Sequence, residues 1–108
     1  MVKVCIFIEK LEGLSREDFL HYWCEEHPAY VLKLPGVRRY VQNPAIEHKT
    51  EWPADGMAEL WFDHLRDVAK AFDGPEAVAL REHEEHFIGK MTWIIADEIV
   101  VYSDEGVV

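Results

Sequence analysis

A chain of 108 residues with 49% hydrophobic and 30% charged residues has the size and composition of one folded domain, which argues against disorder and against a second independent core. We therefore expect residues 1–108 to form a single domain. The 21 Asp and Glu outnumber the 11 Lys and Arg and give a formal net charge of −10, so neither nucleic acid nor an anionic membrane surface is an expected partner.

The first elements predicted along the chain are a strand and a long helix. Residues 2–9 alternate between two sets of side chains, which is the pattern of a β-strand. Ser15 is the predicted N-cap of helix one, in which apolar residues recur at three- and four-residue steps as far as about Leu34. Pro28 lacks a backbone N–H and disfavours helical geometry at the residue before it, so we expect a kink at His27.

The rest of the chain predicts three more strands and a second helical region. The predicted elements are strand two at 37–43, strand three at 57–63, helices at 64–72 and 75–87, and a last strand within 93–102, centred on Glu98–Tyr102. The order is β-α-β-β-α-β. In a compact α+β domain this order gives a four-stranded antiparallel sheet with both helices on one face, as in the ferredoxin-like fold.

Both faces of the predicted sheet are apolar. One set of alternating residues is Val4, Ile6, Leu60 and Phe62, and the other is Cys5, Phe7, Met57 and Trp61. The alternation alone does not decide which set meets the helices. Because the helices cover only one face, we expect the other to pair with a second copy of the chain. Burying about 500 Å² there would contribute on the order of 12 kcal/mol before the costs of association.

Location and redox state follow from composition. No run approaches the roughly 20 apolar residues of a membrane helix, and the first residues read as a strand without a signal-peptide cleavage site. We therefore expect a cytoplasmic protein that does not bind membranes. Cys5 and Cys24 lack metal-site spacing and favour reduced thiols over a disulfide, although the spacing alone permits one.

Several segments in order resemble the EthD-like family of the dimeric α/β barrel superfamily. They are Gly13–Phe19, Tyr22-Trp23, Glu26–Pro28, Leu34–Asn43 and Ala58–Asp63. The resemblance implies two domains that join their sheets into a barrel with the helices outside. Family members include companions of ether-degrading oxidation systems, methylmuconolactone methylisomerases, and dehydratases or cyclases of polyketide-like compounds. In the methylisomerases an active-site histidine on the first helix and a tyrosine on the second strand match His27 and Tyr40 here.

His27 and Tyr40 are therefore the candidate catalytic residues. An imidazole gives and takes protons near neutral pH, and the kink can aim His27 off the helix into a cavity. Alternatively, it satisfies backbone groups left unpaired by Pro28. The hydroxyl of Tyr40 can donate a hydrogen bond to a carbonyl or enolate oxygen, whereas the alternative is an ordinary strand tyrosine with a solvated tip.

Four other residues are candidate substrate-binding residues. Trp23 and Trp61 can line an apolar pocket, although aromatic residues at such spacing are more often core, as is the neighbouring Phe62. Asn43 and Glu59 can orient a ligand or simply be polar strand positions.

A histidine pair gives the chain its one candidate for metal binding. His83 and His86 lie three residues apart in Glu82-His83-Glu84-Glu85-His86, a segment in which the family resemblance does not lead us to expect two histidines. The pair can share a metal ion, but a solvated acidic helix face is the favoured interpretation. No phosphate-binding loop, nucleophile elbow or dinucleotide motif is present, and no cofactor is expected.

These features support three hypotheses of function. The first is a cofactor-independent enzyme, an isomerase, dehydratase or cyclase, acting on a small cyclic or aromatic carbonyl or lactone compound. The second is an oxidoreductase or accessory protein of an oxidation system that degrades ethers or aromatic compounds. The third is a protein that binds a hydrophobic metabolite without changing it. All three expect a small hydrophobic or aromatic molecule as the partner, together with a homodimer.

Overall fold

The computed structural model describes residues 1–105, which form four strands and five helical segments. The strands are β1 (Val2–Lys10), β2 (Arg39–Pro44), β3 (Gly56–Phe62) and β4 (Ile88–Asp97). The α-helices are α1 (Arg16–Leu20), α2 (Pro28–Val31), α3 (Leu65–Phe72) and α4 (Glu76–Glu84), and a π-helical segment occupies His21–Glu26. Within residues 1–105, no helix is long and apolar enough to span a bilayer.

The four strands form one sheet in the order β2-β3-β1-β4, and every neighbouring pair is antiparallel. The two central strands, β1 and β3, contribute buried side chains to the face that meets the helices. On this face Val4 of β1 lies opposite Leu60 of β3. Buried residues from all four α-helical segments and the π-helical segment pack on this side. The strand order is that of the ferredoxin-like fold, and the predicted α+β class is confirmed.

The structure decides which apolar set meets the helices. Val4, Leu60 and Phe62 are buried in the common core with the helices. The opposite side, which we call the open face, carries Phe7 with 39% of its surface exposed and Ile94 with 56% exposed. Ile94 lies directly across from Cys5, so β4 adds to the apolar character of this face. The open face therefore has no covering layer within the described part of the chain.

The sequence prediction for the last strand is wrong. The strand is β4, Ile88–Asp97, and residues 98–102 lie outside the sheet. The reason is the register of the pairing: Asp97 lies opposite Val2, where β1 begins, so no strand remains to pair with residues 98–102. Helix α4 ends at Glu84 instead of about Phe87, which frees residues from Ile88 onward for β4.

The long first helix is divided into three parts. The Ser15 hydroxyl accepts a hydrogen bond from the Asp18 N–H and caps α1, as the sequence predicts. The predicted loss of helical geometry at His27 is wrong, because this residue keeps helical dihedrals, φ −61° and ψ −33°. The irregularity is the π-helical segment before it, after which α2 starts at Pro28. Helix α2 ends at Val31, three residues before Leu34, but Leu34 still packs in the core.

Candidate functional site

The π-helical segment creates a carbonyl that needs a partner from another element. The His27 N–H donates to the Tyr22 carbonyl, five residues earlier, at 2.8 Å. In this register the next carbonyl, that of Trp23, would accept from residue 28, which is a proline without an N–H. The side-chain amide of Gln42 on β2 donates to the Trp23 carbonyl instead, at 2.7 Å. Gln42 therefore ties the distorted helix to the sheet.

The same amide positions the Tyr40 hydroxyl. Gln42 Nε2 donates its second hydrogen to the Tyr40 oxygen at 2.7 Å. Because that oxygen accepts, the hydroxyl hydrogen of Tyr40 is free to donate to a ligand. Burial raises the pKa of Tyr40 to about 12, outweighing the hydrogen bond from Gln42, which lowers it. Tyr40 is thus neutral at physiological pH and keeps its hydroxyl hydrogen.

His27 is buried between the helices and the sheet. Its Nε2 atom lies 3.6 Å from a carboxylate oxygen of Glu84, and its Nδ1 atom lies 2.9 Å from Nδ1 of His83. The distance to Glu84 is too long for a direct hydrogen bond but short enough for the carboxylate to stabilise a positive charge on the ring. The ring of Phe87 packs edge-on against His27 at 5.0 Å between centroids. These contacts fix the imidazole in one orientation.

His27, Tyr40 and Trp23 meet at one small inner cavity. This cavity has a volume of about 30 Å³, which is room for a water molecule or one reacting group. It abuts an outer cavity of about 400 Å³ that opens between α3, α4 and β4. The two cavities share five lining residues, namely Ile6, Phe72, Leu80, Glu84 and Met91. The outer cavity has the volume of a small-molecule pocket, and the inner cavity connects it with His27 and Tyr40.

Trp23 serves both as core and as a wall of the inner cavity. Its indole is fully buried and packs directly on Gly56, the first residue of β3. A Cβ atom at Gly56 would lie 2.5 Å from the indole ring, a distance that real atoms do not adopt. Glycine at this position therefore allows the indole ring to approach the strand closely. Phe62 belongs to the core between sheet and helices.

Asn43, Glu59 and Trp61 lie on the open face, and the structure does not bring them to the cavity. Asn43 donates to Glu59 at 3.0 Å, and Glu59 also accepts from Lys3 at 3.0 Å. Trp61 is only 6% exposed because the cationic ends of Lys3 and Arg39 lie over its ring. Side chains alternate between the two faces of a strand, and Asn43 lies three positions after Tyr40 on β2. The two side chains therefore lie on opposite faces of the sheet.

The histidines near the end of α4 have different environments. His83 is only 6% exposed, so the interpretation of this segment as a solvated face is wrong for that residue. One of its nitrogens contacts His27 and the other contacts Glu26, while His86 stacks on Tyr22 at 5.7 Å. Among residues 1–105, no cluster of three or more His, Cys, Asp or Glu side chains is arranged to hold a metal ion.

Gln42 and Glu84 were not predicted as site residues, and His83 was considered only as a metal ligand or a solvated residue. The structure places these residues in contact with Tyr40 or His27. For His83 a signal was present, since the buried residues Ala77, Leu80 and His83 recur every three positions on α4. For Gln42 the only indication in the sequence is that Pro28 lacks an N–H, so that a helix carbonyl needs another donor. The sequence does not indicate which element supplies that donor.

The raised pKa of Tyr40 predicts a specific alkaline transition. The folded state holds the phenolic proton more tightly than the unfolded state, so this contribution to stability is complete below pH 10.0 and is lost as the pH rises through about 12. The loss corresponds to about 3 kcal/mol of unfolding free energy. Ultraviolet titration of tyrosinate should show one late-titrating residue that is missing in Tyr40→Phe. Titration of Tyr40 at the ordinary tyrosine pKa of about 10 would contradict the burial argument.

Comparison with known proteins agrees with this architecture. The family model described as "EthD domain" matches residues 11–91. A solved EthD family protein from Bacillus halodurans is 24% identical, with a TM-score of 0.77 over 92% of this chain and 99% of that one. HapK from Hahella chejuensis is 11% identical, with a TM-score of 0.75 over 98% of this chain and all of its own.

A third solved structure bears on assembly. The Bacteroides fragilis protein described as dimeric, of unknown function and with a ferredoxin-like fold, is 18% identical, with a TM-score of 0.70 over 90% of this chain and 95% of that one. No match was found among curated proteins. The family match covers most of the chain, and the solved EthD family protein shares its fold. This chain therefore belongs to the EthD domain family.

Proposed function

We propose that this protein is a cofactor-independent enzyme that moves a proton on a small cyclic or aromatic carbonyl or lactone compound. His27 is the general acid or base, and Tyr40 is the hydrogen-bond donor. The observation that carries the proposal is that a buried imidazole and a phenol kept neutral by burial line the same small cavity. The two groups suit one reaction, because one can take a proton while the other stabilises the oxygen that becomes negative.

The proposed step conserves protons and electrons within the substrate and the two side chains. His27 Nε2 removes a hydrogen next to the substrate carbonyl; the C–H bond breaks and an N–H bond forms. The electron pair moves to the carbonyl oxygen, and the Tyr40 O–H donates to this enolate oxygen. The imidazolium that results lies beside the Glu84 carboxylate. Return of the proton to a different carbon gives an isomer. If the carbon next to the enolate carries a hydroxyl group, that group takes the proton from His27 and leaves as water, which gives a dehydrated product.

The outer cavity suggests the kind of substrate. Its walls are mainly apolar side chains of α3, α4 and β4, and its volume of about 400 Å³ lies within the range of small-molecule pockets. An apolar ring or short chain gains from leaving water there. Its carbonyl end then enters the inner cavity, where His27 and Tyr40 supply polar groups. This division favours a small hydrophobic metabolite with one polar end.

We further propose that the open face pairs with that of a second copy. Phe7 and Ile94 are exposed there in the single chain, on the side of the sheet away from the helices. A pairing of two such faces would remove this apolar surface from water. The Bacteroides fragilis relative is described as dimeric, which supports the same arrangement for this chain.

Proton exchange tests the enzymatic proposal without knowledge of the natural substrate. The protein is incubated in deuterium oxide with an unsaturated five-membered lactone that carries an acidic hydrogen next to its carbonyl, and loss of that hydrogen is followed by proton NMR. We expect exchange above the buffer rate. Tyr40→Phe should lower the enzymatic rate by about 10²–10³-fold, because it removes the donor to the enolate oxygen.

The matched control is Tyr102→Phe, which removes the same hydroxyl at an exposed position. Equal exchange by the wild type and Tyr40→Phe would rule out the proposed role of Tyr40. Oxygen consumption with the lactone would favour the oxidative alternative. Recovery of the bound lactone with no exchange would favour a protein that only binds its ligand.

A further inference from the structure

A row of side chains connects the inner cavity with the protein surface. Glu84 lies at the cavity end, 3.6 Å from His27 Nε2. The other nitrogen of His27, Nδ1, is 2.9 Å from Nδ1 of His83, and His83 Nε2 is 3.1 Å from Glu26. Both imidazoles are buried, whereas the Glu26 side chain is 42% exposed. Each neighbouring pair is therefore within or near the distance of proton transfer, and the row ends in water.

The charge of Glu26 determines where the protons lie in the neutral row. Hydrogen bonds from His83 and then from His21 lower the pKa of Glu26, so its carboxylate is ionised near neutral pH. An ionised carboxylate only accepts, so His83 must carry its proton on Nε2. His83 Nδ1 is then an acceptor, and His27 must donate from Nδ1. The Nε2 atom of His27 is left without a proton and faces the cavity.

The surroundings hold this row in place. The ring of Tyr30 stacks on His83 at 4.4 Å, and Tyr22 packs edge-on against it at 6.2 Å. His21 Nε2 contacts the second oxygen of Glu26 at 2.8 Å. The titratable or charged groups around the two imidazoles are His21, Tyr22, Glu26, Tyr30, Tyr40, Glu84 and His86.

We propose that Glu26 and His83 are positioning residues that keep His27 Nε2 free of a proton and connect it with solvent. This inference rests on the proposed function, because the transfer begins when His27 Nε2 takes a proton from the substrate. As His27 Nε2 gains that proton, its Nδ1 proton passes to His83 Nδ1. The Nε2 proton of His83 passes to Glu26, and Glu26 releases it to water. The reverse sequence resets both rings.

Imidazole NMR tests this arrangement directly, with no ligand present. Long-range proton–nitrogen correlation spectra of isotope-labelled histidine distinguish the two neutral tautomers from the charged ring. At about pH 8, where histidines are mostly neutral, we expect His27 with its proton on Nδ1 and His83 with its proton on Nε2. The opposite tautomer of His27, or a charged ring there, would overturn the proposal.

Glu26→Gln tests the role of the charge, and Glu25→Gln is its matched control. Glu25 is exposed and contacts His21 but does not contact His83. Without the carboxylate, we expect the His27 population with its proton on Nε2 to rise several-fold, and lactone exchange to fall by about tenfold because the base is in the wrong tautomer. Residue 26 is exposed enough that the variant should keep the wild-type fold. If the variant does not fold, the tautomers in the wild-type spectrum still test the proposal.

The outcomes separate this inference from the proposed function. An equal tautomer shift in Glu25→Gln, or no shift in Glu26→Gln, would overturn the role of Glu26. If the tautomers and the shift are as expected but the wild type exchanges no lactone hydrogen, the positioning role stands and the enzymatic proposal fails. If exchange occurs but is equally fast in Glu26→Gln, the route to solvent through Glu26 is rejected.

Discussion

His27→Asn should lower the rate of lactone proton exchange by about 10²–10⁴-fold, the contribution typical of a general base. Asparagine is the informative replacement because its side-chain nitrogen lies near the place of imidazole Nδ1. It can still donate to His83, while no group remains at the place of Nε2. The hydrogen bond with His83 is therefore largely kept, and the base that faces the cavity is removed. Exchange rates are measured by proton NMR as for the wild type.

A stability measurement separates lost chemistry from lost structure. The smaller side chain gives up packing against Phe87, for which we expect about 1–2 kcal/mol of destabilisation in urea. His48→Asn is the matched control, since His48 is exposed in the connection between β2 and β3. The control should exchange at the wild-type rate. A folded His27→Asn that also does so would show that His27 is not the base.

Local patterns predict most of the fold. The alternation in residues 2–9 and the cap at Ser15 depend on neighbours in the sequence, and the structure confirms both. The last strand is different, because its position depends on where β1 begins. Residues 98–102 have a strand-like composition, but a strand forms only where another strand offers partners. The register that moves the strand to Ile88–Asp97 is a long-range property that local composition does not contain.

The functional site likewise combines residues that the sequence predicts with contacts that only the folded chain creates. His27 and Tyr40 follow from the family resemblance, and Pro28 indicates an irregular helix in this region, although His27 itself keeps helical dihedrals. The contact between His27 and His83 joins residues 56 positions apart, and no local pattern encodes it. Asn43 and Glu59 were grouped with them by residue type alone. Counting alternate positions from Tyr40 along β2 separates Asn43 from the cavity, and such counting is possible once the face of Tyr40 is known.

Ile94→Glu should convert a dimer of this chain into monomers. Ile94 projects from β4 on the open face, directly across from Cys5, and 56% of its surface is exposed in the single chain. In a symmetric interface each substitution occurs twice, so two carboxylates would enter an apolar contact without partners. We expect the dissociation constant to rise by at least about 10³-fold. Sedimentation velocity at micromolar concentration measures the change.

Val78→Glu is the matched control for this experiment. It introduces the same charge at a residue that is 53% exposed on α4, which lies on the helical side of the sheet. If association uses the open face, Val78→Glu should remain dimeric while Ile94→Glu does not. Dissociation of both variants would point to a general effect of added charge on a chain that already carries −10. A wild type that sediments as a monomer would show that the apolar open face, with Phe7 and Ile94 exposed, is stable in water without a partner.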